Sequence, residues 1–327
     1  KRLLHWTDAQ PRRRRCDALI TDYAVRTNPY HTEYRMPAAP IGAGIRFNIL
    51  KLIYDKSYAT LPVHYGMPAI DLNCDMGESF GNYTMGQDEA VMPYITSANI
   101  AGGFHAGDPH VMRETVELAA KHDVGVGVHP GLPDKMGFGR RTMDATPEEV
   151  RDYVIYQLGA ILGFAKQHGV TVQHVKPHGA MYSMLSESEE HARAVMEAVL
   201  EVDPTLIYLA TDMNIYDVAQ EFDNLNAIFE GYVDLDYNAD RTLIVEKQKE
   251  PKDPDLVADR VVDIAKHNQI EAVDGTTLDL PAKSICIHGD GPNALELLET
   301  IHERLDEEGI ELQRLAEFVE LPAVHGS

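Results

Sequence analysis

The chain has 327 residues, 44% of them hydrophobic, which suits one large α/β domain with an appendage or two smaller domains. Its formal net charge of −23 argues against nucleic acid or an anionic membrane surface as a partner, and no run approaches the roughly eighteen apolar residues of a membrane span. Cys16, Cys74 and Cys286 are widely spaced, with no CxxC pair and no disulfide framework, a pattern of free thiols in a reducing, cytoplasmic compartment.

From the N-terminus, residues 1–66 stand apart. They hold 11 Lys+Arg and 5 Asp+Glu, a net of +6, so the remainder carries −29. The segment contains PRRRRC and shows no clear hydrophobic period, and Asp8, Asp17 and Asp22 argue against a transit peptide. It reads as a poorly ordered or peripheral extension. Residues 67–327 read as the catalytic domain.

From Met67 onward strands alternate with amphipathic helices. Strands are predicted at Ala69–Met76, Ser97–Gly103, Gly125–Pro130, Thr171–Pro177, Thr205–Thr211, Ala227–Leu235 and Ser284–His288. Helices are predicted at His110–His122, Pro147–His168, Glu189–Glu201, Ile215–Phe222, Asp255–His267 and Asn293–Glu308. Thr146 followed by Pro147, Glu148 and Glu149 is a strong helix start, with a capping hydroxyl, Pro at the first helical position and acids in the first turn. The charged stretch 238–255 reads as a solvated excursion. Alternating β and α units imply a parallel sheet, and about seven of them with no doubly wound signature predict a seven-stranded βα (TIM-like) barrel.

Nearly every predicted strand ends in polar residues. The first carries Asp71, Asn73 and Asp75, which alternation places on one face, with Leu72 and Cys74 on the other and Glu78 in the loop beyond. The second leads to Asn99, His105 and Asp108, and the third to His129 and Asp134. Lys176 and His178 follow the fourth, Asp212 the fifth, Glu230, Asp234 and Tyr237 the sixth, and His288 and Asp290 the seventh. In parallel βα folds the strand C-terminal ends build the site, and the N-terminal ends here lack this concentration. Singly, each residue has a bland reading. Asp108 before Pro109 is best placed to cap the next helix, and Arg140 and Arg141 also read as surface charge after a turn. Together they predict an active site.

Three chemistries are compatible with such a rim. His and Asp can hold a divalent metal that activates water. Carboxylates and His can do general acid–base work. Lys176, Arg140 and Arg141 can hold a phosphate or carboxylate. There is no Walker phosphate loop, no G-x-G-x-x-G after a strand and no G-x-S-x-G elbow, so a Ser or Cys nucleophile is not signalled.

The motifs DLNCDMGESFG, SANIAGGFHAGDP, HPGLPDKMGFGRR, KPHGAMY and SICIHGDGPNAL resemble, in order and spacing, the LamB/YcsF family, over roughly Met67 to Leu321. The resemblance implies a barrel of the glycoside hydrolase/deacetylase type. It also implies hydrolytic opening of a lactam, 5-oxoproline to glutamate or a relative such as 2-pyrrolidone. It implies further that the reaction is coupled to ATP and that the chain acts as the A component beside separate 5-oxoprolinase B and C type subunits. By motif, it assigns the site to Asp71, Asn73, Asp75 and Glu78; Asn99, His105 and Asp108; His129 and Asp134; Arg140 and Arg141; Lys176 and His178; Glu230 and Asp234; and His288 and Asp290. Asp75, His105 and His178 would position water or a divalent metal, and Lys176 with the arginine pair would stabilise phosphate or an oxyanion.

This chain departs from the usual pattern at three places. Gly102 stands where a Cys-Gly-Phe-His run is common, Leu235 replaces an Arg, and a further Arg is lost near Val245–Lys247. If either Arg holds a substrate carboxylate, a neutral lactam or other amide becomes acceptable. Two other readings remain at this point. One is a metal-dependent carbohydrate deacetylase-like hydrolase, by fold analogy; the other is a non-catalytic assembly subunit.

Overall fold

The computed structural model describes residues 67–244 and 250–319, so the predicted 1–66 extension and the Val245–Lys247 departure lie outside the described residues. Six strands, β1 (Ala69–Met76), β2 (Ser97–Ala101), β3 (Gly125–His129), β4 (Val172–Val175), β5 (Ile207–Ala210) and β6 (Asn226–Tyr232), pair in parallel in chain order. A closing strand, Ala282–Cys286, pairs in parallel with both β6 and β1. The result is the closed seven-stranded barrel that the βα alternation predicts. A two-residue strand, Glu311–Leu312, extends the N-terminal end of β1.

Helices cover the outside because their apolar residues recur at helical spacing. Pro147–His168 buries Val150, Val154, Leu158, Ile161 and Ala165 along one stripe, and the fully buried Leu158 and Ile161 contribute about 1.5–3 kcal/mol each. Thr146 and Glu149 form the reciprocal capping box, with Pro147 in the first turn. Asp108 caps Pro109–His122 by accepting from the His110 and Val111 amides, the job its sequence context favours. The helix Gly179–Glu187 is an addition to the predicted set; nine residues between two longer elements give too short a periodic signal. Within the supposed excursion, Leu243–Ile244 pairs with Asp236–Tyr237 as a small antiparallel ribbon. Among the described residues no helix is long and apolar enough to cross a membrane.

The barrel interior is divided. Ile207, Leu209 and Ile228 form an apolar side, closed from below by Leu315. Opposite, β1, β2, β4 and the closing strand point polar groups inward. A register shift at β3–β4 lets Gln173 and His174, neighbours in sequence, both bond to β2 residues, Gln173 to Ser97 and His174 to Asn99. Gly127 makes room for this: a Cβ there would lie 1.9 Å from His174 Nε2.

Asp71 lies two inward positions below Asp75, about 13 Å down the strand at the usual rise. It is fully buried and accepts hydrogen bonds from the Ser284, Ser97 and Thr96 hydroxyls. The expectation that Asp71 stands at the rim is therefore corrected: strand alternation gives its face but not its depth.

Burial pushes the Asp71 carboxyl from its usual 3.8 up to about 6, against those three hydroxyls, which favour its charge. The folded chain thus binds this proton more tightly than the unfolded chain. The favourable contribution is complete below the unfolded value and is lost as pH rises through the folded one. Asp71→Asn should therefore gain about 2 kcal/mol on the parent between about pH 4 and about pH 7.5. Urea unfolding at both values measures this, and a pH-independent difference between the two proteins would contradict it.

Candidate active site

The second interior layer joins β1, β2 and β6. Asn73 Nδ2 donates to Glu230 Oε1 at 2.7 Å, and Asn99 Nδ2 donates to Asn73 Oδ1 at 2.6 Å and to Asp75 Oδ1 at 2.9 Å. Above it sits the Lys176 ammonium, 2% exposed, 3.0 Å from Asp75 Oδ1, 3.2 Å from Glu230 Oε1 and 3.0 Å from Cys286 Sγ. Burial works against both charges of the Lys176–Asp75 pair, but the partners prevail. Asp75, Cys286 and Glu230 hold Lys176 well above its ordinary value, and His129 and Lys176 hold Asp75 well below its own. The pair is ionised because each charge is the other's solvent.

Three histidines gather beside Asp75. His129 Nε2 lies 3.2 Å from Asp75 Oδ2 and 2.9 Å from His178 Nδ1. His129 Nδ1 is 2.7 Å from the Lys176 carbonyl, and His178 Nε2 is 2.8 Å from the Phe138 carbonyl. His105, fully buried, stacks on His178 with ring centroids 3.8 Å apart and an 8° tilt. Its Nε2 lies 3.8 Å from Glu78 Oε1. Burial, then His178 and His129, keep His105 well below its ordinary value, and burial brings His178 down to about 3. Glu78 is pushed well up by burial and by the nearby Asp75 and Asp290. The ligand atoms of Glu78, His105, His129 and His178 all fall within 4.8 Å of one another. The predicted metal trio of Asp75, His105 and His178 is not the grouping found: Asp75 belongs to Lys176, and Glu78 and His129 stand with the two other histidines.

Asp75, His129, Lys176 and His178 open onto a cavity of about 680 Å³. Asp234 and His288 face it as a pair, with His288 Nδ1 2.9 Å from Asp234 Oδ2 and the His288 amide donating to the same oxygen at 3.0 Å. Arg140 lines this cavity and a small recess shared with Glu78 and Asp290. Arg141 does not line it: its guanidinium turns back onto Asp134, which also accepts from the Gly137 amide. The arginine pair is thus split, and Asp134 shapes the loop rather than facing the cavity. Asp212 caps the helix Met213–Ala219 and accepts from Tyr182.

The missing Cys at Gly102 removes nothing from the cavity. A Cβ there would meet the Gln157 side chain at 2.6 Å, and Gln157 is engaged with the Gly131 backbone. Tyr232 and Cys286, absent from the predicted site, stand at the same level as Lys176. Their inward parity with Glu230 and Ser284 is the available signal in the sequence.

Residues 70–320 match the family model of the LamB/YcsF family. The chain belongs to the LamB/YcsF family. The A subunit of a 5-oxoprolinase from Pyrococcus horikoshii is 47% identical over 253 residues, 76% of this chain and 99% of that protein. Its counterpart from Staphylococcus carnosus is 45% identical over 75% of this chain and 98% of its own length. Among solved structures, a lactam utilization protein from Thermus thermophilus superposes with a TM-score of 0.70 at 38% identity, covering 75% of this chain and 99% of that one. Every LamB/YcsF motif residue that lines the cavity lies inside the matched segment.

Lys176→Met leaves Asp75 and Glu230 buried without their cation, so it should lower stability by about 3–5 kcal/mol near neutral pH. Chemical unfolding measures the loss, and a change below about 1 kcal/mol would show that the two carboxylates do not depend on it.

Proposed function

We propose that this chain opens a lactam, converting 5-oxoproline to glutamate or acting on a related lactam such as 2-pyrrolidone. It does so as the A component of an ATP-coupled hydrolase with B and C type partner subunits. The observation that carries the reading is the 45–47% identity, over nearly their whole length, to proteins named as the A subunits of 5-oxoprolinases. The cavity supports it, because its groups suit amide activation and proton transfer.

A five-membered lactam is a stable amide. Attack of its oxygen on the terminal phosphate of ATP releases ADP and makes an electrophilic carbon. Water adds there, the ring C–N bond breaks as the nitrogen takes a proton, and a second water releases phosphate from the acyl phosphate. Lys176 and Arg140 face the negative charge that builds on oxygen and phosphate. Asp234 fixes His288 with Nδ1 toward the carboxylate, which leaves Nε2 as the nitrogen to accept a proton from water. Having taken that proton, His288 can return it to the ring nitrogen as the C–N bond breaks. Asn73, Asn99 and Glu230 hold Asp75 and Lys176 in place from below, and Asp71 holds the layer beneath.

The replaced arginine bears on the substrate. Leu235 lines the cavity, and so do Arg241 and Lys252. An apolar Leu235 favours a neutral ring, and the two cations favour one with a carboxylate. Phosphate release should rise with 5-oxoproline or with 2-pyrrolidone over the substrate-free rate, in the presence of candidate B and C type subunits. His288→Gln should slow it by roughly 100-fold or more. Absence of lactam-dependent release under every combination would overturn the reading.

A further inference from the structure

We infer that Glu78, His105, His129 and His178 form a binding site for one divalent transition metal of the imidazole-seeking class, such as zinc. Such a site would exist whether or not the chain opens lactams.

A backbone carbonyl only accepts, so His129 Nδ1 carries the hydrogen it gives to the Lys176 carbonyl at 2.7 Å, and His178 Nε2 carries the one it gives to the Phe138 carbonyl at 2.8 Å. In neutral rings His129 Nε2 and His178 Nδ1 then both bear lone pairs. They face each other at 2.9 Å. Two acceptors at hydrogen-bond distance repel unless a cation or a proton joins them. Donation of the second ring nitrogen to a backbone carbonyl is also the usual support of a metal-bound histidine.

His105 supplies an independent observation. It is fully buried, and neither ring nitrogen has a hydrogen-bond partner among the described residues. Leaving such a group unsatisfied costs about 1–3 kcal/mol. Its ring lies flat on His178, and Glu78 Oε1 is 3.8 Å from its Nε2. A shared proton would reconcile His129 with His178, with Asp75 as counter-charge, but would leave His105 and Glu78 without a role. A metal accounts for all four. Three imidazoles and a carboxylate suit zinc and its neighbours rather than magnesium or calcium. A second grouping, Asp75, Cys286 and His288, is less suited, because the Lys176 ammonium already sits 3.0 Å from both Asp75 and Cys286.

The test loads the full chain with zinc or cobalt(II), removes excess metal by desalting and measures bound metal by mass spectrometry. The expected result is about one equivalent, with a visible cobalt spectrum of nitrogen and oxygen ligation. His178→Ala and Glu78→Gln should each weaken zinc binding by at least roughly tenfold in calorimetry. His302→Ala, whose imidazole is hydrogen-bonded to the Tyr94 carbonyl, should not. Circular dichroism establishes that each variant is folded, and anomalous scattering from a zinc-loaded crystal locates the ion should a variant not fold. Less than about a tenth of an equivalent on the folded chain overturns the inference, as does stoichiometric metal unaffected by His178→Ala or located at Asp75, Cys286 and His288.

Discussion

The interior of this barrel depends on one buried cation. Lys176 is the positive charge between Asp75 and Glu230, and without it these two buried acidic side chains would lose the cation they share. An ammonium at this depth is stable only when its donors are used and its neighbours are ionised. The rest of the layer follows from that requirement. Asn73 and Asn99 hold Glu230 and Asp75 in position, and His174, low in its proton affinity through burial and Lys176, serves as a neutral partner to Asn99. Gly127 is the space in which that imidazole fits. The chain of partners runs from Asp71 to the rim, and within it Glu230 Oε2 and His174 Nδ1 are left without a hydrogen-bond partner among the described residues.

The same constraint turns the rim into a place for chemistry. With Asp75 committed on one oxygen to Lys176, its other oxygen lies 3.2 Å from His129 Nε2, and the Lys176 carbonyl fixes that ring through Nδ1. His129 in turn meets His178, whose far nitrogen is fixed by the Phe138 carbonyl in the loop after β3. That loop is held in its curl by Asp134, which collects the Gly137 amide and the Arg141 guanidinium. Adjacent arginines therefore take opposite duties: Arg141 holds the loop together and Arg140 faces the cavity.

Much of the fold is legible in the residues. β1 and the helix Pro147–His168 are predicted at their observed limits, because strict alternation from Ile70 to Met76 and a capping box with twenty-two residues of helical period are strong local signals. The order of polar residues at strand ends is legible for the same reason: each follows an apolar strand. Depth is not. Asp71, Asn73 and Asp75 share a face, but only closure of the closing strand onto β1 and β6 puts the first against Ser284 and the last against Lys176.

By itself, then, the sequence determined the barrel, its strand order and the face to which each polar group points, since these rest on periodicity and on local caps. Tertiary structure alone decided which groups meet. His105, His129 and His178 come from different strand ends, Glu78 from another, and Lys176 finds Glu230 across the barrel. Such contacts depend on shear, loop curl and the register shift beside Gln173, each of which moves a side chain by several ångströms without leaving a mark in local sequence.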